Sequence, residues 1–299
     1  MHPNVLVLLA AYNGENWLKE QVKSIYSQEE VEVTLAISVD LSSDNTSSLV
    51  DTLKDSYPTL YKLPNQGVLG SAAKNFFHLL REVELQPFDY IALSDQDDVW
   101  HATKLKNAIV MISQHHTHAY SSNVTAFWQD GKQILIDKAQ AQTNHDFMFE
   151  SAGPGCTFVL SKTLAVELQS YLRNNVLQTQ EIFLHDWFIY AFARSKGYQW
   201  YIDSYPSMMY RQHANNVIGA NRGLKPMIAR LIKLGQGWYR QQILLIAAAV
   251  GYENHWPINS FVRLNLFDRF KLALHAHQFR RRLRDQVAFA LYVLFLAKK

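Results

Sequence analysis

Cysteine is almost missing from this chain: Cys156 is the only one in 299 residues. A single thiol excludes an intrachain disulfide framework and fits a reducing compartment. Long apolar runs are missing as well. The last one, Val287 to Ala297, is eleven residues, whereas a membrane span needs about 20. No basic n-region, apolar h-region or cleavage site precedes the first strand pattern, so the mature chain is expected to begin at Met1, in the cytoplasm. No internal repeat or low-complexity linker breaks the chain.

What is present is material for a core. Apolar residues make up 48% and aromatics 13%, enough for one large domain or one domain with an appendage. The net charge of +3 conceals an asymmetry. Residues 261–299 hold nine Lys or Arg against two Asp, and the first 260 hold twenty basic against twenty-four acidic residues. A basic tail on a slightly acidic body suggests nucleic acid or an anionic membrane surface.

The first hundred residues alternate strand and helix patterns. Val5 to Ala10 is a continuous apolar run, as expected of a parallel strand buried on both faces. A turn at Tyr12-Asn13-Gly14-Glu15 leads into a helix carrying Trp17, Leu18, Val22 and Ile25. A second strand, Val31 to Val39, ends at Asp40, and Ser42 to Thr46 supply turn and capping residues for the next helix. A short strand near Leu60 to Leu63 precedes Gly67 and a helix with Lys74, Asn75, Phe76 and Phe77. This order predicts a doubly wound, mostly parallel sheet, whose ligands sit beyond the carboxyl ends of its strands.

The centre of the pattern is Tyr90 to Trp100. A short apolar strand ends in Asp95-Gln96-Asp97-Asp98, three carboxylates within four residues. Such groups repel and resist desolvation unless a cation sits among them, and oxygen ligands suit Mg²⁺ or Mn²⁺. The alternative is a solvated acidic turn. Tyr12-Asn13, Asp40 and the acidic run would all fall on one rim of the sheet, which favours a site.

Beyond Trp100 the pattern gives a helix from Lys104 to His115. A hairpin then follows around Asp130-Gly131, with strands Ser121 to Trp128 and Gln133 to Asp137. Gly153 to Thr157 precede another short strand and a helix starting near Ser161. His185-Asp186 is flanked by apolar residues on both sides. A half-buried Asp186 would have its pKa raised toward the range of a general base, although an Asp at a helix start reads equally as a cap. Two short strands, Gln199 to Ile202 and Ser207 to Arg211, lead into a polar loop containing His213.

These strings together resemble the family-2 inverting glycosyltransferases, and within them the bacterial rhamnosyltransferases of O-antigen, capsule or other surface-polysaccharide assembly. The resemblance covers about residues 4–220. It rests on Ala10 to Glu15, on the run Ser94 to Trp100 followed by Lys104-Leu105, on His185-Asp186, and on Arg211 to Asn221. It implies the α/β nucleotide-sugar-binding fold called GT-A, a doubly wound mixed sheet. It further implies a catalytic domain over 1–222, with a nucleotide-binding half (1–100) and an acceptor-binding half (101–222), and a helical C-terminal region over 223–299.

On that resemblance the donor, dTDP-L-rhamnose or a UDP-sugar, would meet Ala10, Tyr12, Asn13, Glu15, Asp40, Gly67, Lys74, Asn75, Asp95 and Gln96. Tyr12 would stack on the base and Asp40 would accept its ring N–H. Asp97 and His213 would hold Mg²⁺ or Mn²⁺, with Asp98 nearby. Asp186 would deprotonate the acceptor, and Trp100, Gly155, Cys156, Thr157, His185 and Trp187 would lie on the acceptor side. The sequence differs from the family pattern at Val39-Asp40-Leu41, at Ala10, and in having His185 where Glu is commoner. A nucleotidyltransferase would need a Gly-rich phosphate loop after the first strand, and Tyr12 to Glu15 does not provide one. A non-catalytic binder of nucleotide-sugar or glycan is a further alternative.

After Pro226 the pattern is helical. Arg280-Arg281-Arg282 and Arg284 lie close to Leu266, Phe267, Phe270 and Leu274. This combination suits either a helix in the headgroup layer of the inner leaflet, near a polyprenyl-diphosphate-linked glycan acceptor, or packing on the catalytic domain or in a homo-oligomer. Nucleic acid is not expected, because no binding module accompanies the basic run.

Overall fold

The computed structural model describes residues 2–64, 66–213 and 237–296. Parallel strands β1 (Asn4–Ala11), β2 (Glu32–Val39), β3 (Leu60–Lys62) and β4 (Tyr90–Asp95) form one half of a nine-stranded sheet. The other half contains β5 (Val99–Trp100), β6 (Ala119–Phe127), β7 (Gln133–Ile136), β8 (Val159–Ser161) and β9 (Trp200–Arg211). The order is β3-β2-β1-β4-β8-β6-β9-β5, with β7 paired to β6. Strand β8 runs antiparallel to β4 and β6, while β9 is parallel to β6. The sheet is therefore mixed, as expected.

Helices α1 (Leu18–Tyr26), α2 (Thr46–Ser56), α3 (Ala72–Glu82), α4 (Lys104–Gln114), α5 (Lys162–Asn174), the single turn α6 (Val176–Thr179) and α7 (His185–Ser195) flank it. The period of two along β1 sorts its side chains between two cores. Leu6 and Leu8 join Phe76 and Phe77 of α3 and Phe188 of α7, while Val5, Val7 and Leu9 join Leu18 and Val22 of α1 and Leu105 of α4. The two strand patterns near residues 199–211 prove to be one continuous strand. Pro206 cannot donate to the ladder, and it sits at a register shift opposite Asn123, where the pairing is irregular anyway.

The C-terminal region forms α8 (Trp238–Ala249), α9 (Trp256–Arg263), α10 (Leu266–Leu274), α11 (Leu283–Leu291) and a π-helical turn at Tyr292–Leu296. The part of the expected helix between Pro226 and Leu234 lies outside the described residues. Ile243, Phe261, Leu272, Phe279, Phe289 and Val293 belong to the same buried cluster as Leu6 and Phe76. Two arginines of the tri-arginine string are internal and do not form a surface charge. Arg281 Nη1 binds Asp146 Oδ2 at 2.9 Å, its Nη2 donates to Ser151 O and its backbone N–H to Glu150. Arg280 donates to Phe149 O at 3.1 Å. A buried pair of this kind adds little net stability but fixes register. Here it locks the C-terminal helices to the segment 146–151.

Candidate active site

The rim of the sheet is assembled by side chains that hold loops in place. Gln96 makes a reciprocal pair with the backbone of Tyr12, accepting from its N–H and donating to its carbonyl, both at 2.8 Å. That contact is why Gly14 must be glycine: a Cβ there would stand 2.2 Å from Gln96 Oε1. Tyr12 is left 56% exposed on the rim, free to offer a ring face. Asn13 Oδ1 accepts from Ser43 N–H and Glu15 Oε2 from Asn45 N–H, so both tie the β1 turn to the loop after β2. Ala10, half-buried near the end of β1, pairs in register with Asp95.

Asp40 is buried and accepts three backbone N–H groups, from Leu41, Leu69 and Gly70, each at 2.8 Å. It therefore anchors the loop that carries Gly67 in the left-handed region at φ +80°. Asn75 is also buried. Its Nδ2 bridges the carbonyls of Ala11 and Ser38, and its Oδ1 has no hydrogen-bond partner among the described residues. Lys74, one residue before it, is exposed.

The acidic knot closes on itself. Asp97 Oδ2 meets His213 Nε2 at 2.5 Å, and His213 stacks on Trp17 with ring centroids 4.2 Å apart. The Arg211 side chain donates to Asp97 O at 2.7 Å and its backbone N–H to Asp98 Oδ1 at 3.1 Å. Residues 214–221, the rest of the polar loop, lie outside the described residues. Burial, the neighbouring Asp97 and the more distant Asp186 push Asp95 up to about 7. Burial and both neighbouring carboxyls raise Asp98 well above the carboxylate range. Lys104, wholly buried, sits 3.5 Å from the Trp100 ring centroid and donates to Cys156 O at 2.9 Å. Burial drives its ammonium down to about 7, opposed by Cys156, Asp98 and Asp95.

Ligand atoms of Asp95, Asp98 and Cys156 lie within 4.8 Å of one another. Burial and the two carboxyls keep the Cys156 thiol protonated, so it is a poor metal ligand. The remaining donors are carboxylate oxygens, with the His213 imidazole beside them. That set fits a hard divalent cation bound through Asp97 and the rim of the knot.

Across from the knot, α7 begins with His185 and Asp186. Asp186 Oδ1 accepts the Trp187 N–H at 2.8 Å. Burial raises Asp186 to about 6 in spite of that bond and the helix N-terminus. The His185 ring stacks on Phe76 at 4.1 Å and is held neutral, driven down to about 3 by burial, with Nε2 unpartnered among the described residues. The bridge between the two sides is the turn Gly155–Thr157. Cys156 faces Asp95 and Asp98, while Gly155 lies against His185-Asp186, where a Cβ would stand 2.5 Å from His185 Nε2 and 3.2 Å from Asp186 Cβ. Asp186 is close enough to Asp95 to act on its protonation. The acidic knot and Asp186 thus lie to either side of the turn Gly155–Thr157, close enough for Asp186 to act on Asp95.

A family model described as "Glycosyltransferase like family 2" matches residues 2–211. The chain is a family 2 glycosyltransferase. This glycosyltransferase is 42% identical over 289 residues to a protein named dTDP-rhamnosyl transferase RfbG from Shigella flexneri, covering 96% of this chain and 98% of that one. It is 27% identical over 164 residues to an Escherichia coli protein, WfgD. That protein is named a UDP-Glc:alpha-D-GlcNAc-diphosphoundecaprenol beta-1,3-glucosyltransferase, and the match covers 54% of this chain and 61% of WfgD. In solved structures the enzyme resembles TarS residues 1–349 from S. aureus, with TM-score 0.58, 15% identity, and coverage of 98% and 80%. It also resembles a mannosyltransferase from Pyrobaculum calidifontis solved with GDP-Man and Mn2+, with TM-score 0.54, 16% identity, and coverage of 98% and 86%. These likenesses place the glycosyltransferase in the GT-A fold.

Some expected residues support the site from behind. Trp100 and Trp187 are each 3% exposed. Trp100 packs under Lys104, and Trp187 donates to Phe147 O and stacks on Tyr239 of α8. Thr157 is fully buried and donates to Pro154 O. Of the six residues expected on the acceptor side, Gly155, His185 and the backbone of Trp187 adjoin Asp186. Three contributors were given no site role in the sequence reading, Lys104, Arg211 and Trp17, although the first two belong to strings that carry the resemblance. Lys104 carried a signal, a lysine six residues beyond the acidic run. Arg211 stood at the head of such a string, whereas Trp17 carried no signal, because its partner His213 is distant in sequence. Gly155→Ala should lower kcat by roughly tenfold or more with a smaller change in donor KM, since a misplaced base costs rate more than binding. Steady-state kinetics check this, and an unchanged kcat would separate Gly155 from the geometry of the base.

Proposed function

We propose that the enzyme transfers L-rhamnose from dTDP-L-rhamnose, with inversion and with a divalent metal, to a hydroxyl of a glycan acceptor in bacterial surface-polysaccharide synthesis. The acceptor in this reading is carried on a polyprenyl diphosphate at the cytoplasmic face of the inner membrane. The observation that supports the reaction is the proximity of the Asp95–Asp98 knot to Asp186 across the turn Gly155–Thr157. The sugar follows from the similarity to the rhamnosyl transferase along nearly the whole of both chains.

Each residue then has a task. Tyr12 offers its exposed ring to the pyrimidine, and the Asp40-anchored loop bearing Gly67 closes over the nucleotide beside Lys74 and Asn75. Asp97, with Asp95 and His213, would hold Mg²⁺ or Mn²⁺. When bound, that cation neutralises the charge developing on the departing diphosphate. Asp186, with its raised pKa, takes the acceptor proton from the opposite face. Single displacement of a β-linked donor gives an α-L-rhamnosyl product, and one catalytic carboxylate suffices. The matched E. coli glucosyltransferases favour a second reading, a UDP-hexose donor with the same chemistry. Their names also mention a diphosphoundecaprenol acceptor.

A thermal-shift panel of dTDP-L-rhamnose, dTDP, UDP-glucose and UDP, each with Mg²⁺, Mn²⁺ or chelator, tests the reading. We expect the dTDP compounds with metal to raise Tm most, since a ligand at ~100 Kd adds about 2.7 kcal/mol to the folded state. Chelator should abolish the shift from the nucleotide-sugar. A larger shift with UDP-glucose would select the second donor, and no shift with any nucleotide would sink both.

A further inference from the structure

The C-terminal helices present a surface that the reaction does not use. On α10, Leu266, Phe267, Phe270 and Leu274 are 59 to 76% exposed. At 3.6 residues per turn they fall within about 100° of arc, a single stripe. On α11 and the turn after it, Leu283, Val287, Leu291 and Phe295 are 52 to 75% exposed at a spacing of four, a second stripe. Arg269 of α10 donates to Val293 O at 2.7 Å, so the start of one helix lies beside the end of the other in an antiparallel pair. Scattered surface leucines need no explanation, but eight large apolar side chains on two adjoining helices do.

We propose that this helical pair docks on the surface of an anionic lipid bilayer, its apolar stripes entering the headgroup layer. No described helix is long and apolar enough to cross a membrane, so the mode is interfacial. Charge selects a bilayer over a second copy of the chain. The sequence of residues 261–299 holds nine cations and two acids, and three carboxylates of the catalytic half, Asp137, Asp146 and Glu150, take up Arg282 and the internal Arg280 and Arg281, which leaves the segment an excess of four positive charges. A two-fold dimer through this face would bring two segments of net positive charge together, whereas anionic headgroups attract such a segment. The pair is also locked to the acceptor half. Arg281, just before α11, holds Ser151 O, and Ser151 lies near enough to Asp186 to lower its pKa. The purpose of docking rests on the polyprenyl-linked acceptor proposed above, but docking itself is measured without substrate.

The test is flotation of the full-length enzyme with vesicles of phosphatidylcholine alone and of phosphatidylcholine and phosphatidylglycerol in equal parts. We expect co-flotation with the mixed vesicles, and a roughly tenfold or greater loss of partitioning in a Leu266→Ser, Phe267→Ser, Phe270→Ser variant. These side chains are exposed, so the variant should keep its Tm and its Mn²⁺-dependent donor hydrolysis. Failure of the wild type to float with either vesicle would overturn the proposal. So would a stable dimer in analytical ultracentrifugation that the variant dissolves, since a second copy would then own the face. Donor hydrolysis in the same preparation reads the catalytic proposal separately, so either can fail without the other.

Discussion

Asp186→Asn should cut the rate of glycosyl transfer by about 10²- to 10⁴-fold, the range contributed by a positioned general base. Asparagine is isosteric, and its carbonyl oxygen can still accept the Trp187 N–H that Asp186 Oδ1 accepts now. The donor should therefore bind as before, and the loss should fall on kcat. The wild-type pH profile makes the same point independently. A base must be ionised to act, and burial puts the folded-state pKa of Asp186 at about 6. The rate should rise with pH, reach half its maximum near that value, and level off above it. Asp186→Glu should recover part of the activity. A variant retaining the rate within tenfold, or a profile flat from pH 5 to 8, would assign the proton to another group. His185 is a poor substitute as the base, because burial drives its pKa down to about 3 and its imidazole takes up a proton reluctantly.

The alternation of strand and helix over residues 4–100 was legible because parallel strands buried on both faces read as unbroken apolar runs. The acidic knot was legible because three carboxylates after such a strand have few cheap explanations. What escaped depended on tertiary context. Arg280 and Arg281 looked like surface charge in a run of arginines, yet Asp146 and Glu150, more than a hundred residues upstream, draw them into the interior. Asp40 was read as facing a base, and the part it plays in holding the Gly67 loop was not legible, since the N–H groups of Leu69 and Gly70 arrive from another connection. Trp100 and Trp187 looked like acceptor platforms because they adjoin catalytic strings. In a strand or helix, however, neighbours in sequence point to different sides, and both indoles point into the core.

Lys104→Met should destabilise the enzyme by up to about 3–5 kcal/mol at pH 7, where Lys104 and Asp95 are both partly ionised, the usual cost of removing one partner from a buried charge set. Lys104 is the cation already inside the knot, wholly buried under Trp100 and coupled to Asp95, Asp98 and Cys156. The sign with pH follows from the shifts. Asp95 and Asp98 have folded pKa values above their unfolded ones. Between about 4 and 7 the folded state therefore binds more protons, and these groups make stability fall as pH rises. Losing the lysine raises both carboxyls further and deepens that fall. Below pH 5 the carboxyls of the folded state are protonated, and the wild type must instead bury a charged ammonium whose pKa has been driven down. Methionine removes that burden, so the difference between the two proteins should shrink toward zero. Denaturant unfolding of both at pH 5 and pH 7 reads this directly. Equal losses at the two pH values would show Lys104 acting only as packing for Trp100, with the carboxyls balanced by something else.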